Sequence, residues 1–383
     1  MRSLGKAGKL FLLIYASILV LTSGMISVAS LQSASAQTGV DWKDRWEKVL
    51  VGAKKERNVV VYGPPGEIIR RAITDGFKKA FPEIDIEYSG GRGVEQSAKI
   101  KAERDAGIYS IDIILNESGA MIAYLKPTGA LDAIMPTLLL PEVTDLKHWR
   151  DGSFEFIDRD NRYILGFVKQ VKVPLIFDPK QVKAEEVDEL YKLLDPKWKG
   201  KIVVNDPVPQ GVGAATFRWI WHALGPEKAK DYYRRIRTQA GAVDRDQRRQ
   251  IEWVAQGKYP VLFSPSDGVL VELRQRGLKF AVLPEFKDYG TYTTASFGSA
   301  MILKNAPHPN AATAFLNWAL SKEGQTAWSR AMGHVSRRLD VPTDHLPAYI
   351  VPRPGVNYWV STQEENLLWQ PEAERIVQEI FGR

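Results

Sequence analysis

Four short stretches place glycine and proline just ahead of a helical pattern, and they carry the main suggestion of chemistry in the chain. They are Tyr62-Gly63-Pro64-Pro65-Gly66, Ser89-Gly90-Gly91-Arg92-Gly93, Asn116-Glu117-Ser118-Gly119 and Pro207-Val208-Pro209-Gln210-Gly211-Val212-Gly213. The first turn of a helix has N–H groups without intrahelical partners and a partial positive charge, so it can hold an anion through the backbone alone. Glycine lets a ligand approach the main chain, and proline fixes φ while removing an unneeded donor. One such loop merely turns a corner; four, each after a predicted strand, outline a cleft beyond the carboxyl ends of an open α/β sheet. The candidate ligand contacts are therefore Pro64, Gly66, Gly91, Arg92, Ser118, Gln210 and Gly211. Arg92 and Arg245 add guanidinium forks that match a carboxylate or phosphonate bidentately. Arg245 sits between Asp244 and Asp246, either of which could hold it instead.

Other chemistries lack their residues. There is no G-x-S-x-G elbow, no Walker A pattern and no cysteine. His148, His222, His308, His334 and His345 stand in unrelated contexts, none at i, i+4 from a second ligand type. Gly211-Val212-Gly213 and Gly91-Arg92-Gly93 lack the third glycine and ribose-binding acid of a dinucleotide site. The expectation is no catalytic residue, no metal centre and no cofactor.

These loops must be carried by a fold, and the chain is long enough for two lobes: 383 residues, with 44% hydrophobic and 25% charged side chains. Arg2, Lys6 and Lys9 precede an apolar run from Leu10 to Leu21, and Ala34-Ser35-Ala36 follows. That order is a signal peptide with cleavage near Ala36, too short to span a bilayer, where about 20 residues are needed. Its removal lowers the formal charge from +7 to about +4, which is no nucleic-acid signature. The basic stretch Lys228–Arg249 reads as a solvated helix face and loop. Without cysteine there is neither a disulfide nor a lipid-anchoring residue. The reading is a free, monomeric periplasmic protein with no stable membrane insertion after cleavage.

Apolar periodicity gives a helix over 42–57, a strand over 59–62, a helix carrying Ile69, Ile73 and Phe77, and strands over 85–89 and 111–115 with helices after each. Alternating strands and helices imply mainly parallel sheets covered on both faces. Tyr163–Phe177 and Ser296–Leu303 are extended runs that would cross between lobes, and strands at 201–204, 261–264 and 280–283 lie between them. The organisation is therefore α/β in two lobes: residues 1–36 leader, 37–173 the first part of lobe 1, 174–283 lobe 2, and 284–383 a return to lobe 1 with C-terminal helices and tail. Clefts between such lobes are preferred ligand sites.

LLDPKWKGKIVVNDP (193–207) and MILKNAPHPNAATAFLNWALSKEGQ (301–325) resemble signature stretches of extracellular solute-binding proteins, family 1, nearest the iron(III)-binding-like branch of ABC-transporter receptors. The resemblance runs from about Asn58 to Arg338. It implies a type II periplasmic binding fold that captures a small solute and delivers it to an inner-membrane permease and its ATPase. Iron-binding members usually carry adjacent tyrosines where this chain has Ser264-Pro265-Ser266-Asp267. Ser266, Asp267 and Tyr289 are accordingly further candidate contacts, and Tyr232-Tyr233, in helical pattern, reads as core. Ferric iron, which needs hard anionic oxygen ligands, becomes the second choice behind a small anionic solute. An exported enzyme and a sensory ligand-binding module are the remaining alternatives.

Overall fold

A computed structural model describes residues 42–382; the expected signal segment lies outside the described residues. Strands and helices alternate from the start. Helix α1 (42–56) leads into β1 (Asn58–Gly63), α2 (Glu67–Ala80), β2 (Asp85–Gly90), α3 (Gly93–Asp105), β3 (Ile113–Asn116) and α4 (Gly119–Tyr124). Short pieces follow: β4 (Leu131–Asp132), α5 (Pro141–Thr144), β5 (Glu155–Phe156), β6 (Leu165–Gly166), β7 (Gln170–Val171) and β8 (Leu175–Phe177). The middle of the chain supplies β9 (Ile202–Asn205), α6 (Val212–Leu224), α7 (Pro226–Gln239), β10 (Ala240–Asp244), α8 (Gln247–Ala255), β11 (Val261–Phe263), α9 (Asp267–Gln275) and β12 (Ala281–Leu283). The chain then passes through β13 (Tyr292–Thr294), β14 (Ser299–Leu303), α10 (Pro309–Leu320), α11 (Lys322–Met332), β15 (Trp359–Val360) and α12 (Gln370–Phe381).

The first lobe is built on the strand order β2-β1-β3-β14-β6-β5, with β4 also on β14. The second runs β10-β9-β11-β8-β12. Each has a parallel trio, β2-β1-β3 and β10-β9-β11, extended by antiparallel strands that return from the other lobe, β14 in one and β8 in the other. The sheets are thus mixed, because every crossing strand re-enters its lobe from the opposite end. Alternation explains why both faces are covered. Val59, Val61, Ile113, Leu115, Ala300 and Ile302 face one apolar cluster, while Tyr62, Ile114, Met301 and Leu303 face another. Ile202, Val204, Val261 and Phe263 do the same against Val203 and Leu262 in the second lobe. The signature helix α10 is buried along its whole C-terminal length, Ala311 to Leu320. Tyr232 and Tyr233 are fully buried in the second core.

Two extended crossings lie where the extended runs suggested, but their registers differ from the expectation. Tyr163–Phe177 is broken into three short strands; its middle piece, β7, pairs antiparallel with β13. The second crossing is therefore centred on Tyr292–Gly298, and Ser299–Leu303 is already sheet in the first lobe. Strand β15 adds to the free edge of β13, making a three-stranded hinge. After Arg338 the tail crosses again, and α12 buries Ala373, Ile376, Val377 and Phe381 against α6 and α7 of the second lobe.

The clearest packing focus in the first lobe is Phe77, fully buried, with ring centroids 5.1 Å from both Phe81 and Phe315 and 5.7 Å from Trp318. Phe77→Ala should lower unfolding stability by about 3–5 kcal/mol, read as a drop in the urea midpoint. A loss well below 1 kcal/mol would show that α2 and α10 do not depend on this contact.

Candidate functional site

At the carboxyl end of the first parallel trio, a single buried amide gathers three loops. Asn116 Nδ2 donates to the carbonyls of Gly63 (3.2 Å) and Gly91 (3.0 Å) and to Gln96 Oε1 (2.7 Å). Gln96 Nε2 in turn donates to Gly63 O (3.0 Å) and Ser89 O (3.2 Å). The second lobe repeats the device: Asn205 Nδ2 donates to Gln250 Oε1 (3.1 Å), and Gln250 Nε2 donates to Asp244 O (2.5 Å). Buried polar groups are tolerated only when satisfied, so each pair fixes its loops in one arrangement. Close approach requires glycine here. A Cβ on Gly63 would meet the Tyr88 hydroxyl at 2.2 Å, and one on Gly213 would meet Asp206 O at 2.5 Å.

The loop after Asn116 and the start of α4 face a cavity of about 480 Å³ lined by both lobes and the hinge. Ser118 and Glu117 come from the first lobe, Gln210 and Arg218 from the second, and Thr294 from the second crossing. The Ser118 side chain is buried and its hydroxyl has no partner. Arg218 pairs with Glu374 at 3.2 Å. Burial pulls its guanidinium down, and the neighbouring carboxylate partly offsets this.

The predicted contacts divide. Ser118 and Gln210 line the cavity. Gly211 opens α6 with no side-chain cap and no acid in the first turn, and Gly66 opens α2 likewise without a side-chain cap. Pro64 is buried and accepts from the Tyr88 hydroxyl at 2.8 Å. Gly91 is held by Asn116. Arg92 is exposed and makes no ion pair among the described residues, but the α3 start it precedes is filled, since Gly93 N donates to Glu117 Oε1 at 2.9 Å. Arg245 pairs at 3.3 Å with Asp206 rather than with its sequence neighbours; Asp244 holds Arg249, and Asp246 caps α8. Ser266 is half-buried at the start of α9. Asp267 is buried in an ion pair with Lys172 of the first crossing. Tyr289 lies elsewhere, in a pocket with Trp219, His222 and Trp359.

Sequence reasoning missed the two amide pairs and Lys172, because lone Asn, Gln and Lys residues carry no spacing signal. It also missed a polar chain in which Thr216 Oγ1 lies 2.8 Å from Ser264 Oγ and 3.2 Å from the Tyr292 hydroxyl, tying α6 and β11 to the hinge. No three His, Cys, Asp or Glu side chains gather into a metal centre among the described residues. One Ser–His contact exists, Ser329 Oγ to His345 Nε2 at 3.1 Å. The serine gives its proton to His334 O (2.7 Å), so the imidazole donates to it and cannot act as its base.

With the geometry in place, the class is defined: residues 62–326 match the family model described as bacterial extracellular solute-binding protein, and the chain belongs to that family. Its fold is that of the type II periplasmic binding proteins. The Trichodesmium IdiA (FutA) protein in complex with iron and citrate superposes with a TM-score of 0.65 at 17% identity, covering 85% of this chain and all of that one. An ABC-transporter protein of Clostridium perfringens gives 0.68 at 16%, covering 84% and 99%. AfuA of Actinobacillus pleuropneumoniae, with fructose-6-phosphate bound, gives 0.57 at 16%, covering 85% and 98%. No curated protein matches the sequence. At these identities the likeness is one of fold. The family is extracellular, and no helix among the described residues is long and apolar enough to cross a membrane.

Two groups at the hinge give measurable consequences. Lys172→Met would leave Asp267 as an unpaired buried charge and should cost about 3–5 kcal/mol; adding Asp267→Asn should recover most of it. Failure of the double variant to recover would mean that Lys172 acts by packing alone. His334 is buried, and burial, with the charge of Lys172 nearby, pushes its imidazole from 6.5 to about 4. The folded chain keeps it neutral while the unfolded chain takes up the proton, so its contribution is complete above about pH 6.5 and declines as pH falls toward 4. The loss across that window should approach ~3 kcal/mol and be absent in His334→Gln, measured by urea titrations at several pH values. An unchanged pH slope would remove His334 as its source.

Proposed function

We propose that this chain is the periplasmic receptor of an ABC importer, capturing a small anionic solute between its lobes and passing it to an inner-membrane permease and its ATPase. The observation that carries the reading is the shared cavity, where Ser118 offers a buried, unpartnered hydroxyl and Gln210, Arg218 and Thr294 converge from the second lobe and the hinge. A volume of about 480 Å³ falls in the range of small-molecule sites. Negative charge in the solute is supported by the α6 start at Gly211, which no side chain caps, and by Arg92, exposed at the start of α3 with no carboxylate partner among the described residues. Relatives of the same fold hold iron with citrate, and fructose-6-phosphate, cargoes rich in anionic oxygen. Bare ferric iron finds less support: Tyr292 is buried against Thr216, Tyr289 lies outside the cavity, and Asp267 is paired with Lys172. Export with cleavage near Ala36 and a monomeric mature chain complete the proposal, and a receptor, unlike an enzyme, needs no reacting group in the cleft.

The test begins with native mass spectrometry of protein purified without refolding, which identifies the solute. Small-angle scattering with that solute should show a smaller radius of gyration than without it, as closure about the hinge requires. Arg92→Ala should weaken its binding by about 1.5–3 kcal/mol in calorimetry. An uncharged native solute, or equal affinities in the two proteins, would remove the anionic reading; an unchanged radius at saturation would sink the receptor.

A further inference from the structure

Residues 357–370 lie beyond the family-matched region and follow a path of their own. They begin on the second lobe, where the Trp359 ring stacks on His222 with centroids 4.8 Å apart. They then join the hinge: β15 pairs with β13, and Ser361 N donates to Thr293 O at 2.9 Å. From there they reach over to the first lobe. Glu364 N donates to Ile157 O (2.9 Å), Glu364 Oε2 accepts from Arg159 N (2.8 Å), and the same carboxylate pairs with Lys126 at 2.5 Å. Leu367 packs on the first lobe's cluster beneath Tyr62 and Ile114. The segment returns to the second lobe through α12, where Glu374 takes Gln210 and Arg218. Along the way Thr362, Gln363 and Gln370 become lining of the interlobe cavity.

We propose that residues 357–370 form a strap that is a third wall of the solute cleft and a latch on its opening, with Glu364 and Leu367 as its two anchors on the first lobe. A rotation that parts the lobes can keep the hinge ladder intact, but it must lift these anchors or pull α12 from the second core. The anchors are the weaker link. The side chains of Lys126 and Glu364 are 14% and 17% exposed, so their pairing is shielded from solvent more than a surface bridge would be. Burial alone would lower the Lys126 ammonium, yet Glu364 and Asp160 together outweigh it and hold it raised. The proposal rests on the receptor reading only in taking the cavity as the solute site.

The chain has no cysteine, so Lys79→Cys and Arg237→Cys provide one clean spin-label pair across the lobes. Both positions are exposed, on α2 and α7. Electron–electron double resonance on protein dialysed free of solute should show one main distance in this background. Adding Glu364→Gln, or Leu367→Ala, should raise the long-distance fraction about five-fold, the effect of ~1 kcal/mol. Asp160→Asn, which removes the other partner of Lys126 and leaves the strap untouched, should change nothing. Distributions coinciding with the background for both anchor variants overturn the latch, as does an equal shift from Asp160→Asn. Should Leu367→Ala lose its circular dichroism, Glu364→Gln, equal in shape to the native residue, still decides. These distances are read without solute, so a failed scattering test would strike the receptor reading and leave the latch to be judged alone.

Discussion

The site depends on a buried amide contact made twice. In each lobe a lone asparagine ends a strand of the parallel trio and meets a glutamine from a neighbouring helix: Asn116 with Gln96 of α3, and Asn205 with Gln250 of α8. Strand-end loops would otherwise be the softest part of such a sheet, since their backbone groups have left the ladder. The amides restore those bonds from below. Asn116 alone reaches the carbonyls of Gly63 and Gly91 and leaves its own oxygen to accept from Glu117 N at 2.8 Å. In the first lobe this bonding runs directly into the cavity wall at Glu117 and Ser118, so ordering of that loop need not be subtracted from binding.

A second regularity concerns negative charge. Two helix starts that could serve an anion are occupied by the chain's own carboxylates, α3 by Glu117 and α8 by Asp246. Those starts are satisfied internally, which stabilises the loops and withdraws them from ligand binding. The start of α6 is different, with Gly211 and Val212 ahead of an acid-free first turn. Selective occupation of this kind narrows where a solute anion can sit more sharply than the count of glycine loops does.

Much of the architecture was legible because it rests on periodicity. The runs at 59–62, 111–115, 201–204 and 261–264 carry apolar side chains on both faces, and every one became a strand of a covered sheet. The hydrophobic stripe of Ile69, Ile73 and Phe77 likewise fixed the buried face of α2. The site was less legible, because it is made by contacts distant in sequence. Asp206 and Arg245 are 39 residues apart, and Lys172 and Asp267 are 95 apart. No local pattern tells Arg245 to choose Asp206 over Asp244 or Asp246, or tells Asp267 that a hinge lysine will neutralise it. Tyr289 misled for the same reason: it follows a predicted strand, yet the loop turns it toward Tyr191 and the tryptophans of the tail. The short strands β13 and β15 were invisible because two or three residues give no period to detect.

The hinge reconciles rigidity with movement. Rigid walls bind only if they can part, and parting must be cheap at the hinge and uniform within each lobe. Ladder bonds between β7, β13 and β15 run between segments that both cross or flank the axis, so a twist of the ribbon conserves them. The side chains around it do not move as one. Lys172 belongs to the ribbon but is bound to Asp267 in the second lobe, while Val168 bridges to Ser336 in the first. Each contact assigns one end of the ribbon to one lobe, which leaves the few residues between Val168 and Lys172 to take up a bend. Inside that interval Lys169 is held to the first lobe by Asp151 and Glu155, while Gln170 has a buried side-chain oxygen without a partner, so the step from one lobe's hold to the other's falls at Gln170 and Val171.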